Sequence, residues 1–167
     1  MVCALLAAAA TTVGPAPLAA QAENQVGIPI GTVPPAVEIE DLSGAPVDLA
    51  RIAREGPVLI QFWARWCDVC EALAPTMAAA HARFGDRVAF VVVAVGVNQS
   101  PRSIARHLER HPVTGRLLWD GRGRATRAFQ APTTGYIVIL DAEGRVAYTG
   151  IGEDQDIEAA LARVMGE

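Results

Sequence analysis

The sequence predicts an α/β fold, a central sheet of buried strands with helices on its faces, and three observations predict it. Pro57–Trp63 is a short apolar run, opened by Gly56-Pro57 and rich in β-branched and aromatic residues, which reads as a buried strand. Val88–Val95 is a second continuous apolar run, as expected of a strand covered on both faces. Each is followed by a stretch with helix chemistry. After the first come Glu71–Ala74 and Met77–Ala80; after the second, Ser100-Pro101 opens a helix with proline at its first position.

Composition bounds the rest. A chain of 167 residues suits one domain with a real core, and 51% hydrophobic residues can fill it. The net charge of −4 gives no electrostatic case for binding nucleic acid. All fourteen basic residues are arginine, so a cation beside any reactive group must be Arg or His.

In chain order, residues 1–22 carry no charge, and Ala20-Gln21-Ala22 fits a small-x-small cleavage site. They read as a secretory signal cut after Ala22, the alternatives being an uncleaved anchor or a disordered tail; the basic n-region is missing, which a start upstream of Met1 would explain. Cys3 falls inside it, leaving Cys67 and Cys70 to the processed protein: too few for a disulfide scaffold or a closed zinc site. Residues 23–34 read as a linker whose glycines and prolines forbid regular structure, and residues 35–167 as the folded domain. Val37–Glu40 alternates and Ser43-Gly44 turns the chain towards Val47, an N-terminal hairpin; Leu49–Arg54 reads as a short helix.

The helix after Cys67 is expected to run to Phe84 with a kink at Pro75, which removes a backbone hydrogen bond. His81 lies about 16 Å along it from Cys70 and reads as a surface or packing residue. In the helix from Ser100 to Arg110, Ile104 and Leu108 form the core face. Arg102, Arg106 and Arg110 make a basic stripe flanked by His107 and His111. Leu117–Trp119 reads as a strand, Gly123–Phe129 as a short helix, Ile137–Leu140 and Arg145–Thr149 as a hairpin, and Asp154–Met165 as a terminal helix with acids in its first turn. Residues 102–127 carry net charge +5 and residues 141–167 carry −5; solvated helix faces explain both runs better than an acidic partner does.

The chemistry concentrates in Phe62-Trp63-Ala64-Arg65-Trp66-Cys67-Asp68-Val69-Cys70. Cys67 sits where a strand gives way to a helix, and unpaired N–H groups at a helix start stabilise a thiolate. Residues three apart share a helix face, so the two sulfurs can reach disulfide distance. A thiolate with a resolving thiol beside it is the apparatus of thiol–disulfide exchange.

With Trp66 before the first cysteine, Phe62-Trp63-Ala64 before that and Pro75 after the second, residues 35–165 resemble the thioredoxin superfamily, and within it the TlpA/ResA-like extracytoplasmic thiol–disulfide oxidoreductases. The resemblance implies a thioredoxin fold with a central mixed β-sheet and an N-terminal hairpin extension. It makes Cys67 the exposed nucleophile and Cys70 the buried resolving thiol, joined as a disulfide when oxidised. It makes Ala131–Pro132 a cis bond beside them, with Thr133 following and Ala131's backbone left free to pair with a substrate chain. Trp66 would cover the site. Gly135-Tyr136 lengthen the stretch from Pro132 to Asp141 beyond the family's usual spacing. Gln61 stands where many thioredoxins carry a buried acid; an amide cannot shuttle a proton, and a satisfied core amide is the expected role.

Asp68-Val69 replaces the family's proline-bearing pair. Asp68 and Glu71 disfavour a nearby thiolate and Arg65 opposes them, so a reductant or mid-potential couple is expected. The implied partners are protein thiol or disulfide substrates and a membrane or periplasmic redox partner, with cytochrome c maturation among the compatible settings. No cofactor, resident metal or nucleic acid is implied, and a monomer is expected outside the cytoplasm. The main alternative is a copper-binding module holding Cu(I) at Cys67 and Cys70, for which no third ligand is visible near the pair. A peroxidase lacks its Thr and Pro in residues 62–66, and a purely structural disulfide closing so short a loop adds little stability.

Overall fold

The computed structural model describes residues 26–167, so the expectations for the leader and for Cys3 lie outside the described residues. The elements in order are β1 (Glu38–Glu40), β2 (Pro46–Asp48), α1 (Leu49–Arg54), β3 (Val58–Trp63), α2 (Asp68–Ala72), α3 (Ala74–Phe84), β4 (Ala89–Val95), α4 (Pro101–Leu108), β5 (Arg116–Asp120), α5 (Arg124–Ala128), β6 (Ile137–Leu140), β7 (Val146–Gly150) and α6 (Ile157–Val164). They build one seven-stranded mixed sheet in the order β2-β1-β5-β4-β3-β6-β7. β3, β4 and β5 run parallel; β6 pairs antiparallel with β3, and the terminal hairpins extend both edges.

The apolar runs become the middle of the sheet because both its faces are covered. Along β3, Leu59 packs beneath α3 and α6 with Met77, Phe84, Ile157 and Leu161. Its neighbours Ile60 and Phe62 face the opposite layer with Ile104, Ala125, Phe129 and Val138. β6 alternates in the same way, Ile137 and Ile139 against Val138 and Leu140. Side chains of this size contribute roughly 1.5–3 kcal/mol each when fully buried. Helix starts are fixed locally: Asp48 caps α1, Asp156 caps α6, and Ser100 and Ser103 form a reciprocal capping box at α4.

Two expectations are corrected. The helix after Cys67 does not merely kink; it breaks at Leu73 into α2 and α3, with Pro75 in the first turn of α3. Proline has no N–H to offer Glu71, and its ring crowds that carbonyl, so the ladder restarts one turn later. Of the segment read as a linker, the described part, from Val26 onward, holds no strand or helix, yet it is not a free tether. Ile28 is buried, its N–H donates to Tyr136 Oη at 3.1 Å, and Tyr136 Oη donates to the Val26 carbonyl at 3.2 Å. Gly31 and Thr32 exchange backbone hydrogen bonds with Val146. Gly27 is required here, because a Cβ would collide with the Tyr136 hydroxyl. Among the described residues no helix is long and apolar enough to cross a membrane.

Candidate active site

β3 delivers Ala64, Arg65 and Trp66 to the carboxyl edge of the parallel strands, and Cys67 becomes the N-cap of α2. Its extended backbone (φ −96°, ψ 101°) points Sγ back at the first turn, where it accepts the Cys70 N–H at 3.1 Å. Cys67 and Cys70 are joined as a disulfide with Cα atoms 5.2 Å apart. Cys70 is 3% exposed, with Sγ 4.0 Å from the Phe62 carbonyl oxygen. Cys67, expected to be exposed, is only 8% so. The order of access is as expected, but both sulfurs are largely covered, and two clefts lie beside them, of which one is lined by both cysteines.

Those clefts lie on either side of Trp66, which lines both and is 43% exposed. One is an apolar groove of about 380 Å³ between Trp66 and Val97 on one side and Ala131, Pro132, Thr133 and Thr134 on the other. The other, of about 310 Å³, is lined by both cysteines, Gln61, Glu71, His107 and Arg110 among others. The residues expected to touch substrate therefore share one groove.

The local geometry of that groove differs from expectation. No cis peptide bond occurs among the described residues, so Ala131–Pro132 is trans. The chain turns instead at Gln130 (φ +49°) and Gly135 (φ +79°), on either side of the proline, and trans is the lower-energy isomer. The Ala131 N–H is not free either, since it donates to the Thr126 carbonyl at 2.9 Å. Thr126 is held in turn by buried Asp120, whose Oδ2 accepts both its N–H and its hydroxyl at 2.8 Å. Gly135 and Tyr136 do not lengthen a loop. They continue the β3–β6 ladder by one step, exchanging hydrogen bonds of 2.8 and 2.9 Å with Phe62. Gly135 is needed for a second reason: a Cβ there would lie 2.7 Å from Cγ1 of Val69, the residue before Cys70.

Arg65 is not paired with the acids beside the cysteines. No ion pair joins it to Asp68 or Glu71 among the described residues. Its Nη2 donates to the Asn98 carbonyl at 3.1 Å, and its backbone N–H donates to Gln99 Oε1 at 3.1 Å. Gln99 Nε2 is anchored on the Val95 carbonyl at 2.6 Å, and Trp66 Nε1 donates to the Val97 carbonyl at 2.9 Å. The loop after β4 thus braces the loop after β3. No local sequence pattern marks this brace; the available signal is the adjacency of two parallel strands, whose following loops must lie side by side.

Gln61 is buried, and its Nε2 has no hydrogen-bond partner among the described residues, so the expected satisfied amide is not observed. His81 packs edge-on against Phe90, as a packing residue should. His107, read only as flanking a basic stripe, packs at a tilt against Trp63 with centroids 5.7 Å apart and stacks on His111 at 4.6 Å. Burial first, then the charges of His111, Arg65 and Arg110 hold its pKa below the usual 6.5, with Glu71 opposing them. Among the described residues no group of three or more His, Cys, Asp or Glu side chains is arranged to hold a metal ion.

Comparison with known proteins agrees with this geometry. The family model for Redoxin matches residues 29–164. The thioredoxin-like protein YneN of Bacillus subtilis is 28% identical over 133 residues, covering 78% of this chain and 76% of that one. The thiol-disulfide oxidoreductase ResA of Geobacillus kaustophilus is 24% identical over 144 residues, covering 84% and 81%. The crystal structure of the thioredoxin domain of a thiol-disulfide oxidoreductase from Bacteroides vulgatus superposes with a TM-score of 0.70 at 18% identity, covering 81% and 97%.

Proposed function

Because the chain belongs to the Redoxin family and is a thiol–disulfide oxidoreductase of thioredoxin fold, we propose that it works outside the cytoplasm as a reductase of protein disulfides. The observation that carries the reading is the Cys67–Cys70 disulfide at the start of α2, with Trp66 beside it lining an apolar groove that also holds Ala131, Pro132 and Thr133. Cys67 attacks a substrate disulfide and forms a mixed disulfide; Cys70 then attacks Cys67 and releases the reduced substrate. Trp66, Val97 and the Ala131–Thr134 stretch hold the substrate chain. Ala131 offers its carbonyl rather than a complete strand edge, so side-chain contacts with Trp66 and Pro132 do more of the holding than backbone pairing does.

The direction follows from charge. Asp68 and Glu71 stand exposed beside the pair, and among the described residues Arg65, turned to the β4–α4 loop, forms no ion pair with either. Uncompensated carboxylates disfavour the Cys67 thiolate, and a less stabilised reduced state gives up its electrons more readily. Export is supported by the uncharged apolar residues 1–22 and the Ala20-Gln21-Ala22 site. Recharging the pair there calls for a membrane or extracytoplasmic dithiol donor.

The test is the redox equilibrium of Cys67–Cys70 against dithiothreitol and glutathione buffers. A potential near about −270 mV supports the reductase, and one near about −120 mV overturns it in favour of a disulfide donor. Asp68→Pro should raise the fraction of Cys67 thiolate, followed by absorbance at 240 nm; an unchanged titration would remove the charge argument.

A further inference from the structure

Before Cys70 can resolve a mixed disulfide it must lose a proton, and its surroundings decide where that proton goes. Its Sγ is buried beside the Phe62 carbonyl, which cannot take one. The buried polar side chain of β3 that lines the same cleft, Gln61, is an amide and cannot take one either. Two observations point across the cleft. Gln61 Nε2 is a buried donor without a protein partner, and a buried donor of this kind calls for water. The cleft, at about 310 Å³, has room for several. On its far wall stands His107, at the end of α4, half-buried and packed on Trp63.

We infer that His107 is the proton acceptor for Cys70, reached through water in the cleft that Gln61 anchors. The inference rests on thiol–disulfide exchange itself and not on its direction. The Cys70 thiol gives its proton to cleft water as that water passes one to the His107 imidazole. The Cys70 thiolate attacks Cys67 Sγ, the bond between Cys67 and the substrate sulfur breaks, and the substrate leaves as a thiolate. The imidazolium then returns the proton to the leaving thiolate or to solvent. In the oxidising direction the same relay runs backwards.

His107 suits the task better than its neighbours. His111, Asp68 and Glu71 are exposed, whereas His107 is half-buried against Trp63. The groups that face it are His111 and Arg110 from the end of α4, Arg65 from the loop after β3 and Glu71 from α2. Burial and the cationic majority keep the imidazole neutral at neutral pH, the state that accepts a proton.

The experiment separates the two thiol steps. Reduced protein is mixed in a stopped-flow instrument with excess 5,5′-dithiobis(2-nitrobenzoate), from pH 5 to 9. The first equivalent of chromophore reports attack by Cys67, and the second reports attack by Cys70 on the mixed disulfide. In His107→Phe, which keeps an aromatic ring against Trp63, the second release at pH 7 should slow at least about tenfold, with the first within about twofold of wild type. The wild-type second rate should level off above the His107 pKa, while the variant's should go on rising with pH. His107→Asn should behave alike, and Gln61→Glu in the His107→Phe background should restore the second release by placing a titratable group at the cleft. An unchanged pH profile of the second release in both His107 variants overturns the inference, as does equal slowing of both releases. A wild-type protein that released no second equivalent would instead overturn exchange by this pair.

Discussion

Gly135 is where the sheet meets the redox loop, and replacing it with alanine has a calculable effect. Gly135 holds φ +79°, a left-handed conformation that costs an L-residue about 1–2 kcal/mol. The new Cβ would also lie 2.7 Å from Val69 Cγ1 and 3.3 Å from Val69 Cβ. Val69 is inside α2, where a β-branched side chain has essentially one rotamer, so it cannot swing aside. Relieving such overpacking by shifting backbone costs about 1–3 kcal/mol. Gly135→Ala should therefore destabilise the oxidised domain by about 2–5 kcal/mol, a fall in Tm of about 2–4 °C per kcal/mol at this size. Val69→Ala removes the obstructing methyl groups, so in that background Gly135→Ala should retain only the backbone part, about 1–2 kcal/mol. Urea unfolding of the four proteins of this cycle reads the coupling directly. Full additivity would refute the contact as the cause, and a cost for Gly135→Ala below about 0.5 kcal/mol would refute the strain as well.

Three further perturbations test the surroundings. Tyr136→Phe leaves the buried Ile28 N–H without an acceptor; it should cost about 1–3 kcal/mol and speed hydrogen exchange at Ile28 while the β3 amides stay protected. Gln99→Ala removes the brace between Arg65 N–H and the Val95 carbonyl; it should cost about 1–2 kcal/mol by denaturant titration and change the rate at which Cys67 is alkylated, whereas unaltered alkylation would reduce Gln99 to a purely structural role. His107 gives a pH dependence whose sign is fixed. Its folded pKa lies below the unfolded 6.5, so the unfolded chain binds more protons between those values and stability rises with pH across that window. Stability should fall as pH drops through 6.5 and flatten below the folded pKa, and His107→Phe should lose that segment of the curve.

What was legible in the sequence was contiguous in it. Pro57–Trp63 and Val88–Val95 are strands because their positions are apolar, Gln61 excepted, and they become β3 and β4 at the centre of the sheet. The pair Cys67–Cys70 was legible because a strand end, two thiols and a helix start follow within ten residues. What was not legible depends on partners far away in the chain. Val26–Thr32 has the composition of a tether, and it is pinned by Tyr136, 108 residues beyond Ile28, and by backbone hydrogen bonds to Val146. Gly135-Tyr136 looked like an insertion because counting residues cannot tell a longer loop from a longer ladder; the hydrogen bonds to Phe62 decide it. The break at Leu73 was half legible, since Pro75 announces a disturbance but not its size.

The placement of Trp66 shows why these distant partners matter for chemistry. Thiol exchange needs an apolar contact that aligns a substrate sulfur and a wet contact that moves a proton, and one small pair of cysteines must serve both. The indole separates the two demands. One side faces the groove of Val97, Pro132 and Thr133, and the other faces the cleft of Gln61 and His107. Its Nε1 is fixed on the Val97 carbonyl, and Arg65 beside it is fixed by Asn98 and Gln99, so the wall does not depend on the substrate for its position. A preorganised wall of this kind lowers the cost of ordering the site at each turnover. Arg65 accordingly acts as a strut to the β4–α4 loop rather than as a counter-charge to Asp68.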